Sequence, residues 1–421
     1  MNRLALVLVA LVVSACSLSG DKTRCETQAD CLDGYTCNAG TCEHPMMPTC
    51  TPITCEGQCG VVDDHCKGTI DCGACPDHCT NSAKDPSETD IDCGGDCMPC
   101  APGLHCAQTS DCTTGTCDVD TCRAGAWSTV AAMPTARTEL AAVAAADGKI
   151  YAIGGRTGSS PTGIVEVYDP ALDSWTSRAP MATPRYGFAA VLGSDARIYT
   201  LGGEYTSVSN AGPSVVAEVY NPVTNAWASL PSLPVGRYHV AAAVDGNGVI
   251  YALAGFDGTT FRTLSSVATW QLGAPSWTTL PDAMTTARNS HVAVTMPDGR
   301  IYALGGQDNN GTELAAFEYF QPGSAGWSTL LAMPTARTSF AAAPLGTSLY
   351  AISGSRFGAN TPYTRVVEVY DTTAHAWSQV TSIPSGRYGH AAVALGGRIY
   401  VLGGRREAGN ANTAIVDVYT P

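Results

Sequence analysis

Six tryptophans recur at an almost constant interval, and that interval constrains the architecture more tightly than any other feature of the chain. Trp127, Trp175, Trp227, Trp277, Trp327 and Trp377 are separated by 48, 52, 50, 50 and 50 residues. A period of about 50 residues marks a structural unit that cannot bury its own apolar face and so stacks against copies of itself. Each tryptophan is followed by an arginine (Arg137, Arg185, Arg237, Arg288, Arg337, Arg387), then by an Ala/Val-rich run, then by a tyrosine entering a glycine pair. The pairs are Gly154-Gly155, Gly202-Gly203, Gly305-Gly306 and Gly403-Gly404, with Ala254-Gly255 and Ser353-Gly354 as deviations.

The local pattern within each unit is that of short strands. Runs of β-branched and aromatic residues are separated by Asp147-Gly148, Asp245-Gly246, Asp298-Gly299 and Gly396-Gly397, which read as hairpin turns. A third run carries an acidic residue between apolar neighbours: Glu166, Glu218, Glu318, Glu368 and Asp417, with Ala268 at the same place in the third unit.

The ordered recurrence of Trp, Arg, Tyr and diglycine across 127–421 resembles the kelch family. That resemblance implies an all-β fold, a six-bladed kelch-type β-propeller with four-stranded blades. The chain stops at Tyr419-Thr420-Pro421 after a third strand, and the Trp127 segment precedes any first strand. The Trp127 strand is therefore expected to complete the last blade and remove an open edge.

Composition divides the chain at residue 122. Eighteen of the 19 cysteines lie from Cys25 to Cys122, and 123–421 contains none. Residues 17–122 carry 18 Asp plus Glu against 4 Lys plus Arg, a balance of −14, whereas 123–421 carries 19 against 18. A nearly neutral large unit beside an acidic small one argues against a nucleic-acid binder, which needs a basic face. The expected organisation is a signal peptide over 1–15, a linker over 16–24, a disulfide-rich, loop-dominated stalk over 25–122, and the propeller over 123–421.

The first residues read as an export signal. Arg3 precedes an apolar run from Leu4 to Val13, too short for a bilayer, which needs about 20 residues. Val13-Ser14-Ala15-Cys16 resembles the bacterial lipobox, which implies that Cys16 is acylated and becomes the mature N-terminus. Ser17 resembles an outer-membrane sorting residue. The partners expected are thus a membrane, through lipid on Cys16, and a protein or glycan ligand; the chain is expected to be a monomer at the outer membrane or cell surface.

With Cys16 lipidated, the remaining 18 cysteines are even in number and suit disulfides in an oxidising compartment. The motifs Cys72-Gly-Ala-Cys75 and Cys97-Met-Pro-Cys100 lack the context of a zinc knuckle or a redox site, and structural disulfides are the favoured reading. Asp85, Glu88, Asp90, Asp92 and Asp96 fall within 12 residues, a density of oxygen ligands suited to Ca²⁺ but without EF-hand spacing. A solvated acidic loop is the preferred reading there, and no other cofactor is expected.

The repeated arginine and the loop after each diglycine belong to one face of the ring, and that face carries the longest variable segments. Loops on a rigid scaffold are the usual place for binding. Each arginine is expected first to pair with the acidic residue of its own blade; its functional reading is a mouth that recognises carboxylates or sulfated sugars. Tyr186, Tyr238, Tyr388, His239, His291 and His390 follow the arginines and add stacking or hydrogen bonds. Arg237 faces Ala268, so it is expected to lack a partner, and blade three also offers Tyr238, His239, Phe256, Asp257, Phe261 and Arg262. Ligand contacts are expected to centre there.

The favoured function is ligand binding, without catalysis. Among enzymes that share the family resemblance, a copper oxidase with a Cys–Tyr crosslink is excluded because the propeller has no cysteine. A sialic-acid-like carbohydrate mutarotase needs only Arg, Glu and His around the mouth and is the first alternative. A passive surface spacer is the second.

Overall fold

The computed structural model describes residues 123–421 apart from 206–211, 282, 357–362 and 407–409, together with short stretches between 36 and 122. Six four-stranded antiparallel sheets form the blades. Blade one contains Ala141–Ala144, Ile150–Ile153, Val165–Asp169 and Ser174–Arg178, and its order recurs around the ring. The first strands of neighbouring blades pack side by side around the axis and line an apolar channel through Val143, Val191, Ala243, Val294 and Val393.

Each repeated residue has an identifiable mechanical task. The tyrosine of the second strand donates its hydroxyl to the hairpin aspartate: Tyr151 to Asp147 (2.8 Å), Tyr199 to Asp195 (2.9 Å), Tyr302 to Asp298 (2.6 Å). The tryptophan indole donates to a carbonyl of the preceding blade, as from Trp175 to Ala131 and from Trp227 to Ala179. A buried indole or phenol needs such a partner, and here that need ties blade to blade. The second glycine of each pair has φ between 95° and 107°, conformations unfavourable to other residues. A Cβ at Gly155 would also stand 2.7 Å from the Thr138 carbonyl.

The last blade contains Ala391–Leu395, Arg398–Leu402 and Val416–Thr420, and its outer strand is Ala126–Val130. Trp127 faces Tyr419 and Val130 faces Val416 in that register. The ends of the domain therefore share one sheet, and the ring has no unpaired outer edge at its junction.

In the Cys-rich segment, Cys93–Cys100, Cys106–Cys117 and Cys112–Cys122 are disulfides, and their half-cystines form a small core. Cys100 thus pairs with Cys93 across seven residues, not within its CxxC motif. Cys106, Cys112 and Cys122 cluster closely, but all three are spent in disulfides, which removes the thiolates a metal would need. The Asp90 carboxylate accepts the backbone N–H groups of Ile91 and His105, and Glu88 is buried. Cys16, Cys72, Cys75, Asp85, Asp92, Asp96 and Cys97 lie outside the described residues.

Candidate functional site

The six arginines lie beneath the mouth and are at most 1 % exposed. In blade one, Arg137 Nη1 donates to the Gly154 and Ile164 carbonyls, and Nη2 donates to Glu166 Oε2 at 2.7 Å. The side chain thereby fastens the diglycine to the start of the third strand. Arg185–Glu218 (2.6 Å), Arg288–Glu318, Arg337–Glu368 (2.8 Å) and Arg387–Asp417 repeat the pairing. Such groups stabilise only as complete pairs, because a buried charge left alone costs several kcal/mol. The mouth of exposed arginines expected from sequence is absent at Arg137, Arg185, Arg237, Arg288, Arg337 and Arg387, since all six guanidinium groups point into the blades.

Blade three keeps the arginine but not the carboxylate. Arg237 Nη1 donates to the Ala254 and Ser266 carbonyls at 3.1 and 3.0 Å, so backbone oxygens satisfy it where a ligand had been expected. Burial lowers its pKa to about 10, partly opposed by the charge of Asp257. The blades with Glu also place a threonine against it, as Thr135 on Glu166 and Thr335 on Glu368. Val235 stands in the equivalent place before Arg237, so blade three has lost both polar members together.

Above the arginines, the residue two positions after each one forms a ring on the axis. The N–H of Glu139 donates to Gly389 O, Gly187 to Glu139, His239 to Gly187, Ser290 to His239, Ser339 to Ser290, and Gly389 to Ser339, at 2.6–3.1 Å. All six residues are left-handed, with φ between 50° and 61°. For the four that are not glycine this conformation costs about 1 kcal/mol or more each, and closure of the hydrogen-bonded circle offsets it. A cavity of about 100 Å³ lies at this ring.

A second circle surrounds the first. Here the residue after each arginine bridges to the residue after each glycine pair: Thr138 with Arg156, Tyr186 with Glu204, Tyr238 with Phe256, Asn289 with Gln307, Thr338 with Ser355, and Tyr388 with Arg405. Blades four and five contribute only small or neutral polar residues to the two circles. Blades six, one, two and three contribute every charged and aromatic one. A sixfold scaffold does not require that imbalance, so it defines a sector of the mouth.

Within the sector the side chains interlock. His239 Nε2 lies 3.3 Å from Glu139 Oε2, and Arg156 Nη2 lies 2.9 Å from Glu139 Oε1. Burial raises the Glu139 pKa, but the His239 hydrogen bond and the charges of His239 and Arg156 outweigh it and hold the carboxyl below its ordinary value. The Arg156 guanidinium sits 4.5 Å above the Tyr186 ring, and Tyr238 packs edge-on against His239. Burial, then a hydrogen bond to Glu204, pushes the Tyr186 hydroxyl up.

Other residues singled out by sequence have different surroundings. His291 and His390 are buried under the ring; burial, followed by the charge of the nearby arginine, holds both neutral, with His390 lowered to about 3. Phe256 packs on Tyr238, the Asp257 carboxylate accepts bonds from Thr259 and Thr260, and Arg262 and Phe261 lie at an exposed hairpin tip. Glu139, Arg156, Glu204 and Arg405 were missed by the sequence reading. Their signal was positional: Glu139 and His239 stand where the other units have Gly or Ser.

With this geometry in place, comparison with known proteins settles the family. A KLHDC2/KLHL20/DRC7 Kelch-repeats domain matches residues 238–420, and a Kelch motif matches 137–182. The chain belongs to the kelch-repeat family. Its kelch propeller is similar to the Kelch-like protein terF of Aspergillus terreus, 31% identical over 144 residues, covering 32% of this chain and 31% of that protein. It is also similar to Kelch domain-containing protein 8B of Mus musculus, 32% identical over 150 residues, covering 34% and 42%. These matches span less than half the length of either relative. Among solved structures, that of YjhT aligns with a TM-score of 0.60 at 16% identity, over 70% of this chain and 97% of that one, a likeness of fold.

Proposed function

We propose that this kelch propeller is the ligand-binding head of an exported, lipid-anchored surface protein, and that it binds through the charged and aromatic half of its mouth. A kelch propeller is a scaffold for binding proteins or other ligands. The observation that carries the finer reading is the imbalance around the axis, with Glu139, Arg156, Tyr186, Glu204, Tyr238, His239, Tyr388 and Arg405 confined to four adjacent blades. Polar groups converging beside aromatic faces, on a rigid ring, are the composition of a recognition site. Support for export comes from Arg3, the apolar run to Val13, the Val-Ser-Ala-Cys16 motif and the disulfides Cys93–Cys100, Cys106–Cys117 and Cys112–Cys122 of the Cys-rich segment.

The test is to screen the full chain against immobilised glycans and candidate proteins, with Arg156→Ala/His239→Ala as the partner variant. Specific binding that disappears in the double variant supports the reading. Binding that survives it places the site elsewhere.

One observation favours a second reading, carbohydrate mutarotation. Glu139 and His239 are within hydrogen-bond reach of one another and open onto the axis beside Arg156. An acid and a base so placed suit the proton transfers that open and close a sugar ring. Faster exchange of anomers by NMR, abolished by Glu139→Gln, supports it; an unchanged rate rejects it.

A further inference from the structure

The charges of the mouth are not balanced locally, and the imbalance specifies a ligand chemistry. Arg156 and Arg405 occupy corresponding places in neighbouring blades. Glu139 neutralises Arg156. No carboxylate among the described residues lies within salt-bridge distance of Arg405, whose Nε donates to the Asn410 carbonyl at 2.9 Å. Its two terminal nitrogens have no protein acceptor among those residues. Arg406 follows in the chain, and its Nε donates to Ser385 Oγ at 3.0 Å.

Consecutive strand residues project to opposite sides, so Arg405 shares its side of the short ladder with its cross-strand partner Tyr388. Tyr363 stacks on Tyr388 with ring centroids 5.4 Å apart and planes 5° from parallel. Its hydroxyl donates to Asn410 Oδ1 at 3.0 Å, which fixes the aromatic wall next to the arginine. Asn412 Nδ2 donates to the Arg156 carbonyl and joins this wall to the mouth. Arg406 projects to the other side of the ladder, opposite Arg387, and its charge is among the causes that lower Arg387.

We infer that Arg405, beside the Tyr363–Tyr388 stack, is the subsite for the acidic group of an acidic saccharide. Among the described residues the terminal nitrogens of the guanidinium meet no acceptor, which leaves planar donors for a carboxylate or sulfate. The tyrosine faces suit the flat side of a sugar ring, and the Ser, Asn and Gln groups of blades four and five suit its hydroxyls. The inference rests on the proposed binding face and makes it specific.

The test is calorimetric titration of the full chain in detergent with four probes: a hyaluronan tetrasaccharide for carboxylate, a heparin tetrasaccharide for sulfate, chitotetraose as the uncharged control, and a tetraglutamate peptide. Binding of at least one acidic saccharide, and not chitotetraose, is expected; binding of hyaluronan assigns the anion to carboxylate, and binding of heparin without hyaluronan assigns it to sulfate. Arg405→Ala should weaken it about ten-fold or more, with partial recovery in Arg405→Lys, while Arg197→Ala at the opposite face leaves it unchanged. Failure of both acidic saccharides to bind overturns the inference, as does binding of tetraglutamate alone. If Arg405→Ala is silent but Arg156→Ala abolishes binding, the subsite falls and the binding face stands. If neither variant affects a bound saccharide, both fall.

Discussion

The imidazole of His239 passes over Gly187, in the blade between, to reach the carboxylate of Glu139, 3.3 Å from Nε2 to Oε2. Gly187 makes that span possible, because a Cβ there would stand 2.6 Å from His239 Cδ2. Gly187 also has φ 58°. Gly187→Ala should therefore destabilise the propeller by about 1–2 kcal/mol through backbone strain alone, and displace His239 as well. Urea midpoints check the first effect; loss of His239–Glu139 coupling in a double-mutant cycle checks the second.

The same pair sets a pH dependence. The folded Glu139 carboxyl lies below its ordinary value, so its contribution to stability is complete above the unfolded value of about 4.3. It is lost as pH falls through the lower folded value. Glu139→Gln should thus be less stable than wild type at neutral pH, and the difference should vanish in acid. A difference that persists unchanged to the most acid pH would contradict this origin.

The buried arginines allow a paired comparison. Arg337→Met leaves Glu368 buried without its partner, and should cost about 3–5 kcal/mol. Arg237→Met abandons no carboxylate and should cost clearly less. Thermal melts of the two variants check the order. Equal losses would mean that the carbonyl bonds of Arg237, and not the ion pair of Arg337, carry the energy.

That comparison also marks what sequence made legible. The spacing of Trp127 to Trp377 and the recurrent Arg, Tyr and diglycine were sufficient for the propeller, because each residue type meets a need that any blade must satisfy. The pairing of Arg137 with Glu166 was readable for the same reason. Burial was not: an arginine at a strand end looks the same in sequence whether it faces solvent or threads beneath a hydrogen-bonded ring. Arg237 was accordingly read as an unpaired mouth residue, whereas Ala254 and Ser266 supply its acceptors. The ring of Glu139, Gly187, His239, Ser290, Ser339 and Gly389 depends on six left-handed residues brought together by closure, and only the glycines advertise that conformation.

Closure itself is testable through the pairing of Trp127 with Tyr419. A fragment beginning at Thr135 lacks the outer strand of blade six and should melt at a lower temperature than one beginning at Arg123. Identical melting temperatures would show that the strand contributes nothing to the ring.

Cys16 provides the test of anchoring. Cys16→Ala should shift the protein from the membrane fraction to the soluble exported fraction, and mass spectrometry of the wild-type N-terminus should find acyl chains on this cysteine. Membrane retention of the variant with no lipid on the wild type would remove the anchor.

The central claim is that one half of the mouth is the binding face, and a hydrogen-exchange footprint of the full chain with its bound ligand addresses it directly. The account predicts slower amide exchange at 138–140, 156–157, 186–188, 238–240 and 388–390, with no change in the turns at 169–173 and 221–225 on the opposite face, where Leu172 and Val223 are 73% and 93% exposed. Protection of those turns, with the ring around Glu139 and His239 unaffected, would contradict it.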